Sequence, residues 1–170
     1  MNLISSIVIA LGIYQLPYIQ AELSIVSFDV DCPTVNPEYF SNVEIYLLDE
    51  GRDNEYFVNF TLIKTFPPGT QTHFKMIGAT MGEYKVPTGF DIAMPSCASV
   101  SEPIIGNRIF ESLGIKSCPV QPGTYSSSKL TVIETATLPD TFPANKYVAE
   151  FSAKLEDEIF FYCRNFFEIQ

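Results

Sequence analysis

Apolar and polar positions alternate with a period of two along most of the chain beyond residue 22, the mark of strands with one buried face. In 56–64, Tyr56, Val58, Phe60 and Leu62 share a face, while Asn59 and Thr61 point the other way. In 43–48, Val43, Ile45 and Leu47 share a face. Residues 23–32 form an earlier candidate strand, and 129–136 a later one. Two shorter candidates, 73–77 and 83–86, are separated by Gly78 and Gly82. The last two are the clearest. Tyr147, Ala149, Phe151, Ala153 and Leu155 alternate with Val148, Glu150, Ser152 and Lys154. Glu156, Asp157 and Glu158 then form an acidic three-residue loop, and 159–169 returns as the second arm of a hairpin. Phe161, Cys163 and Phe167 share a face of that arm, which turns Cys163 inward.

One segment breaks the pattern. In 103–113, Ile104, Ile105, Ile109, Phe110 and Leu113 fall near helical spacing, with Glu102 and Pro103 at the start and Gly114 at the end. This predicts one short helix. Twelve prolines, most of them between candidate strands, fit many turns. About eight short strands joined by such turns predict an all-β sandwich or barrel.

The first 21 residues stand apart. They carry no charged side chain before Glu22; residues 3–13 are apolar, Pro17 breaks the run, and Ala21 offers a small residue for cleavage. This is the pattern of a secretory signal peptide, although the start lacks Lys and Arg and Ile19 sits three residues before the cut. An N-terminal membrane anchor is the alternative, but the run is shorter than the ~20 residues a span needs. Residues 22–170 then form a single domain.

Composition narrows the classes. The 170 residues carry 10 Lys+Arg against 20 Asp+Glu, a net charge of −10. That balance argues against binding a nucleic-acid backbone, which needs a basic face. At 46% hydrophobic and 18% charged, the chain has the material for a core. Four cysteines, Cys32, Cys97, Cys118 and Cys163, lie beyond the leader, and an even number in an exported chain suggests two disulfides. Three connectivities are open. Asn59-Phe60-Thr61 is a glycosylation sequon, usable only on the secretory route.

Candidate chemistry is sparse. His73 is the only histidine and sits mid-strand, where an exposed or packed structural role outweighs catalysis. No nucleophile elbow occurs. Glu156, Asp157 and Glu158 are consecutive in a turn, which suits a solvated hairpin tip better than a glycosidase pair. Residues 49–54 hold acidic groups, but Arg52 interrupts any calcium spacing. No cofactor, metal site or enzymatic activity is expected. What remains is the supply of aromatics: all 14 Phe and seven of the nine Tyr lie beyond residue 21. They fit either a filled core or an apolar cavity between two sheets.

Two stretches carry a resemblance. The first is Cys118-Pro119-Val120-Gln121-Pro122-Gly123-Thr124-Tyr125-Ser126, followed by Leu138-Pro139 and Asn145-Lys146-Tyr147. The second is Ser27-Phe28-Asp29-Val30-Asp31-Cys32. With Cys163 in the last strand, they resemble the ganglioside activator family within the ML lipid-recognition superfamily, and its insect chemosensory CheB-type secreted relatives. The likeness is anchored at 27–32 and 118–170; 33–96 matches only in strand rhythm. The activator has further cysteine pairs that this chain lacks. The resemblance implies a two-sheet antiparallel β-cup, an Ig-like sandwich with a lipid-sized apolar cavity and one short helix at the rim. It also implies the pairs Cys32–Cys163 and Cys97–Cys118.

On that reading the chain binds or transfers a lipid or other hydrophobic small molecule outside the cell, with the lysosome as the alternative compartment. Alternation assigns Tyr56, Val58, Phe60, Leu62, Phe74, Met76, Leu130, Val132, Phe151 and Phe161 to the cavity wall. Ile104, Ile105, Ile109, Phe110 and Leu113 form the rim, touching a membrane, gating entry or simply covering one end. The competing expectation is an extracellular module that binds a protein such as a receptor and has a filled core.

Overall fold

The computed structural model describes residues 23–103, 105–139 and 141–170. The expected leader, 1–21, and Ile104 lie outside the described residues. Eight strands run β1 (Ile25–Val35), β2 (Phe40–Leu47), β3 (Glu55–Leu62), β4 (Gln71–Thr80), β5 (Glu83–Pro95), β6 (Gly123–Thr131), β7 (Asn145–Leu155) and β8 (Glu158–Ile169). Two short helices, α1 (Ser96–Ser99) and α2 (Gly106–Ser112), fall between β5 and β6. The strands form two sheets, one in the order β1-β8-β7-β4-β5 and one in the order β2-β3-β6. Every pairing is antiparallel. The protein is an all-β sandwich.

Alternation explains most of the packing. On β4, Thr72, Phe74 and Met76 are buried while His73 and Lys75 are not. β2 and β8 each change parity once. Asn42, at φ 52°, sits where the β2–β3 register shifts, so Phe40 and then Val43, Ile45 and Leu47 face inward. In β8 a register shift between Ala153 and Lys154 leaves Phe160 as an extra residue, and both Phe160 and Phe161 pack inside. A bulge inserts one residue and re-aims its neighbours.

Four expectations need correction. The strand expected at 129–136 lies earlier, at β6, and residues 135–137 form a 3₁₀ turn. Its start, rich in Ser and Thr, offers little hydrophobic alternation, but it completes the ladder of β3 from Leu62 with Gly123 to Glu55 with Thr131. The strand expected at 83–86 continues to Pro95 through Pro87 and Gly89. β5 is an edge strand, where a missing N–H and a bulge are tolerated. The last hairpin turns in two residues rather than three, because Leu155 pairs with Glu158 and Glu156 adopts φ 52°. Finally, α2 begins at Gly106 rather than residue 103. The Glu102 carboxylate accepts hydrogen bonds from the N–H groups of Ile105 (2.8 Å) and Gly106 (3.1 Å), capping the helix where its dipole favours negative charge. Gly106 is required: a Cβ there would lie 1.8 Å from the Ser99 carbonyl oxygen.

Both disulfides are formed. Cys32–Cys163 ties β1 to the neighbouring β8, and Cys97–Cys118 ties α1 to the segment after α2. The pairing agrees with the one the resemblance implies.

Candidate functional site: an apolar cavity between the sheets

The buried apolar side chains fall into three clusters rather than one. The first gathers Phe74, Met76, Ile105, Ile133, Leu138, Tyr147 and Phe167 around the five-stranded sheet. The second joins Tyr56, Val58 and Leu130 of the smaller sheet to Leu113 and Ile115. The third packs Tyr39, Phe40, Leu62 and Phe160. All three contribute wall to a cavity of about 640 Å³. That is within the range of small-molecule sites, ~300–1,000 Å³. The small side chains Ala149 and Ala153 on β7 leave width opposite the aromatics of β3.

Of the residues expected on the wall, Tyr56, Val58, Phe60, Leu62, Phe74, Leu130, Val132, Phe151 and Phe161 lie there. Met76 does not: it faces inward but is 2% exposed and packs among Tyr147, Phe167, Ile105 and Leu138, where the sandwich is filled. Of the expected rim, Ile109, Phe110 and Leu113 line the cavity. Ile105 is instead buried in the filled end, and Leu113 is buried too, so neither presents itself to a membrane. Here α2 is a cover and a wall at once.

Alternation also puts Ala149, Ala153 and Ile45 on inward faces, and all three line the cavity. Much of the remaining wall lies in turns that carry no local signal: residues 65–70 between β3 and β4, Pro95 and Ser96, and the Cys97–Cys118 bridge with Pro119 and Val120; Cys163 and Asn165 share the face of β8 that alternation turns inward. Only tertiary packing brings these turns to one space.

The wall is apolar apart from a few groups, most of them satisfied. Thr72 donates to Ser96 Oγ (3.0 Å). The Tyr56 hydroxyl shares a short hydrogen bond with Ser27 Oγ, which reaches Asn54 Oδ1 at 3.2 Å; Asn54 Nδ2 in turn donates to the Ile133 carbonyl. Burial drives the Tyr56 phenol well above the ordinary tyrosine range, opposed in part by Ser27 and Asn165. Arg164 borders the cavity but pairs its guanidinium with Asp31, where both side chains are partly exposed.

His73 is not on the wall. Its Nε2 lies 2.6 Å from Asp91 Oδ1 on β5, and this hydrogen bond holds the Asp91 carboxyl below its usual range. Among the described residues, no group of three or more His, Cys, Asp or Glu could hold a metal ion. Asn59 and Thr61 point away from the cavity; Asn59 Nδ2 donates to the Asn42 carbonyl (3.2 Å) in an exposed setting, and Thr61 pairs with the Thr124 hydroxyl (3.1 Å).

Fold and site together define a class: an antiparallel β-sandwich, braced by two disulfides, that encloses an apolar cavity. No protein-family model and no curated protein matches the chain.

Proposed function

We propose that this chain is a non-enzymatic carrier of a lipid or other hydrophobic small molecule, and that it belongs with the ganglioside activator-like proteins of the ML superfamily. The observation that carries the reading is the cavity of about 640 Å³ with an almost wholly apolar wall. At ~25 cal/mol per Å² of apolar surface removed from water, a hydrocarbon chain gains most of its binding free energy from such a wall. The two disulfides support an oxidising compartment, and with the leader-like N-terminus they favour export. Asn59, facing outward beside Thr61, is then a site for an N-linked glycan. A protein-binding module with a filled core is the weaker reading, because the space between the sheets is not filled.

The decisive experiment is native mass spectrometry of the oxidised protein made through the secretory route, with organic extraction of what co-purifies. A lipid in stoichiometric amount, or uptake from a mixed lipid panel, is the expected result. A clean apo mass with no uptake would overturn the carrier reading and favour the protein-binding module.

A further inference from the structure

Asn165 is the anomaly in the cavity wall. It lies on the inward face of β8, paired in register with Ala149 of β7 on one side and Val30 of β1 on the other, and both neighbours also line the cavity. The residue is 7% exposed. Neither Nδ2 nor Oδ1 makes a well-aligned hydrogen bond within the protein, and each exposes less than 1 Å². The nearest polar group is the Tyr56 hydroxyl: the Asn165 amide acts on it as a hydrogen-bond donor that lowers its pKa, but the short bond of that hydroxyl goes to Ser27. A buried amide with an unpaired carbonyl and no well-aligned partner for its N–H groups is costly, and native proteins rarely retain one without a use. An aliphatic side chain of similar size would suit this position better if packing were the only requirement.

We propose that Asn165 is the polar anchor of the cavity, and that the ligand is a single-chain amphiphile ending in an uncharged group that both donates and accepts a hydrogen bond, such as a long-chain alcohol. This rests on the carrier reading and adds the ligand class to it. The amide supplies two N–H donors and one carbonyl acceptor, so a hydroxyl satisfies both sides at once. A terminal amide torsion is soft, and a modest turn about χ2 presents the covered atoms to the cavity. A charged headgroup fits poorly at this point. Among the described residues, the one cationic residue on the wall is Arg164, which pairs its charge with Asp31 through Nη2, while its Nε is buried without a partner. An ion beside Asn165 would therefore lose its hydration without a counter-charge. The volume suits one chain: taking a methylene as close to a water's share of liquid volume, about 30 Å³, 640 Å³ holds about twenty such groups.

The test is displacement of the fluorescent probe N-phenyl-1-naphthylamine by dodecan-1-ol and by dodecane, in the wild type and in Asn165→Leu. The chain has no Trp, so an added fluorophore is the practical readout. The expected result is that Asn165→Leu weakens the alcohol by about tenfold while dodecane binds as well as before or better. A thermal melt at or above that of the wild type shows that the variant is folded. An independent measurement needs no variant: the side-chain amide resonance of Asn165 should move on adding the alcohol and stay in place with dodecane. If the substitution changes both ligands by the same factor, or changes neither, or if the resonance moves equally with both, the anchor is overturned and the carrier reading stands. If the wild type binds neither the probe nor either ligand, the carrier reading fails, and the anchor fails with it.

Discussion

Ala153 shows what a single position contributes to this molecule. It is buried, faces the cavity from β7 and pairs with Thr72 and Phe161. In a filled core, Ala153→Leu would overpack and cost about 1–3 kcal/mol. Beside a cavity the added carbons gain contacts instead. The variant should melt no lower than the wild type while taking up less of any long-chain ligand, measured by thermal denaturation and lipid uptake together. Two tyrosines, Tyr56 buried and Tyr162 half-buried, have a different signature. Burial, with the hydrogen bond and charge of Glu150, pushes the Tyr162 hydroxyl up to about 12, and Tyr56 is raised further by burial. An unfolded tyrosine loses its proton near ~10. Above that pH the unfolded state sheds protons that the native state keeps, so stability falls as pH rises. For Tyr162 the decline should run from about 10 to about 12. Urea denaturation across that interval should show it, and Tyr162→Phe should flatten the slope.

The disulfides act at the scale of elements, and their loops differ in length. Cys32–Cys163 spans 131 residues and holds the first strand to the last. Cys97–Cys118 spans 21 and holds α1 to the segment that follows α2. In the chain-entropy model, losing the longer bridge costs about 5 kcal/mol and losing the shorter about 3. Replacing each pair by Ala should reproduce that order in denaturant midpoints. Both cysteines of the shorter bridge line the cavity, against Cys163 alone of the longer one, so removing the shorter bridge should weaken ligand uptake under conditions where the fold survives. α2 depends on two local features, the Glu102 cap and the absence of a Cβ at Gly106 beneath the Ser99 carbonyl. Both lock it in place, with Ile105 in the filled end and Ile109 on the cavity wall.

Charge belongs to the whole molecule. At −10, the chain carries the charge sign that an anionic bilayer repels. A carrier that collects its cargo at a membrane should therefore load slowly from anionic vesicles at low ionic strength and faster as salt screens the repulsion. Loading from zwitterionic vesicles should change little over the same range, and a dye-labelled lipid transfer assay measures both.

Much of the sandwich was legible in the residues themselves. Period-two alternation placed β3, β4 and the β7–β8 hairpin, because a strand with one buried face must repeat every second residue. Glu102 and Gly114 marked the surroundings of α2, because a helix end needs partners for its backbone. Nine of the ten residues assigned to the cavity wall by alternation lie on it. Alternation says which face is inward, however, and not whether the space it meets is filled. Met76 faces inward like Phe74, yet one lies in packed core and the other lines the cavity, because α2 and residues 133–138 fill one end of the sandwich only. The strand expected at 83–86 stops before Pro87 and Gly89, and only the edge position of β5 let it run through them. Asn165 shares the inward parity of Phe161, Cys163 and Phe167, which says nothing of its partners. Its isolation was decided by what surrounds it, Val30, Ala149 and an apolar space, which no stretch of sequence contains. Local patterns settled which residues turn inward, since backbone geometry enforces that residue by residue. The distance between the sheets, and hence the existence of a cavity and the polar group in its wall, was set only by how distant segments pack.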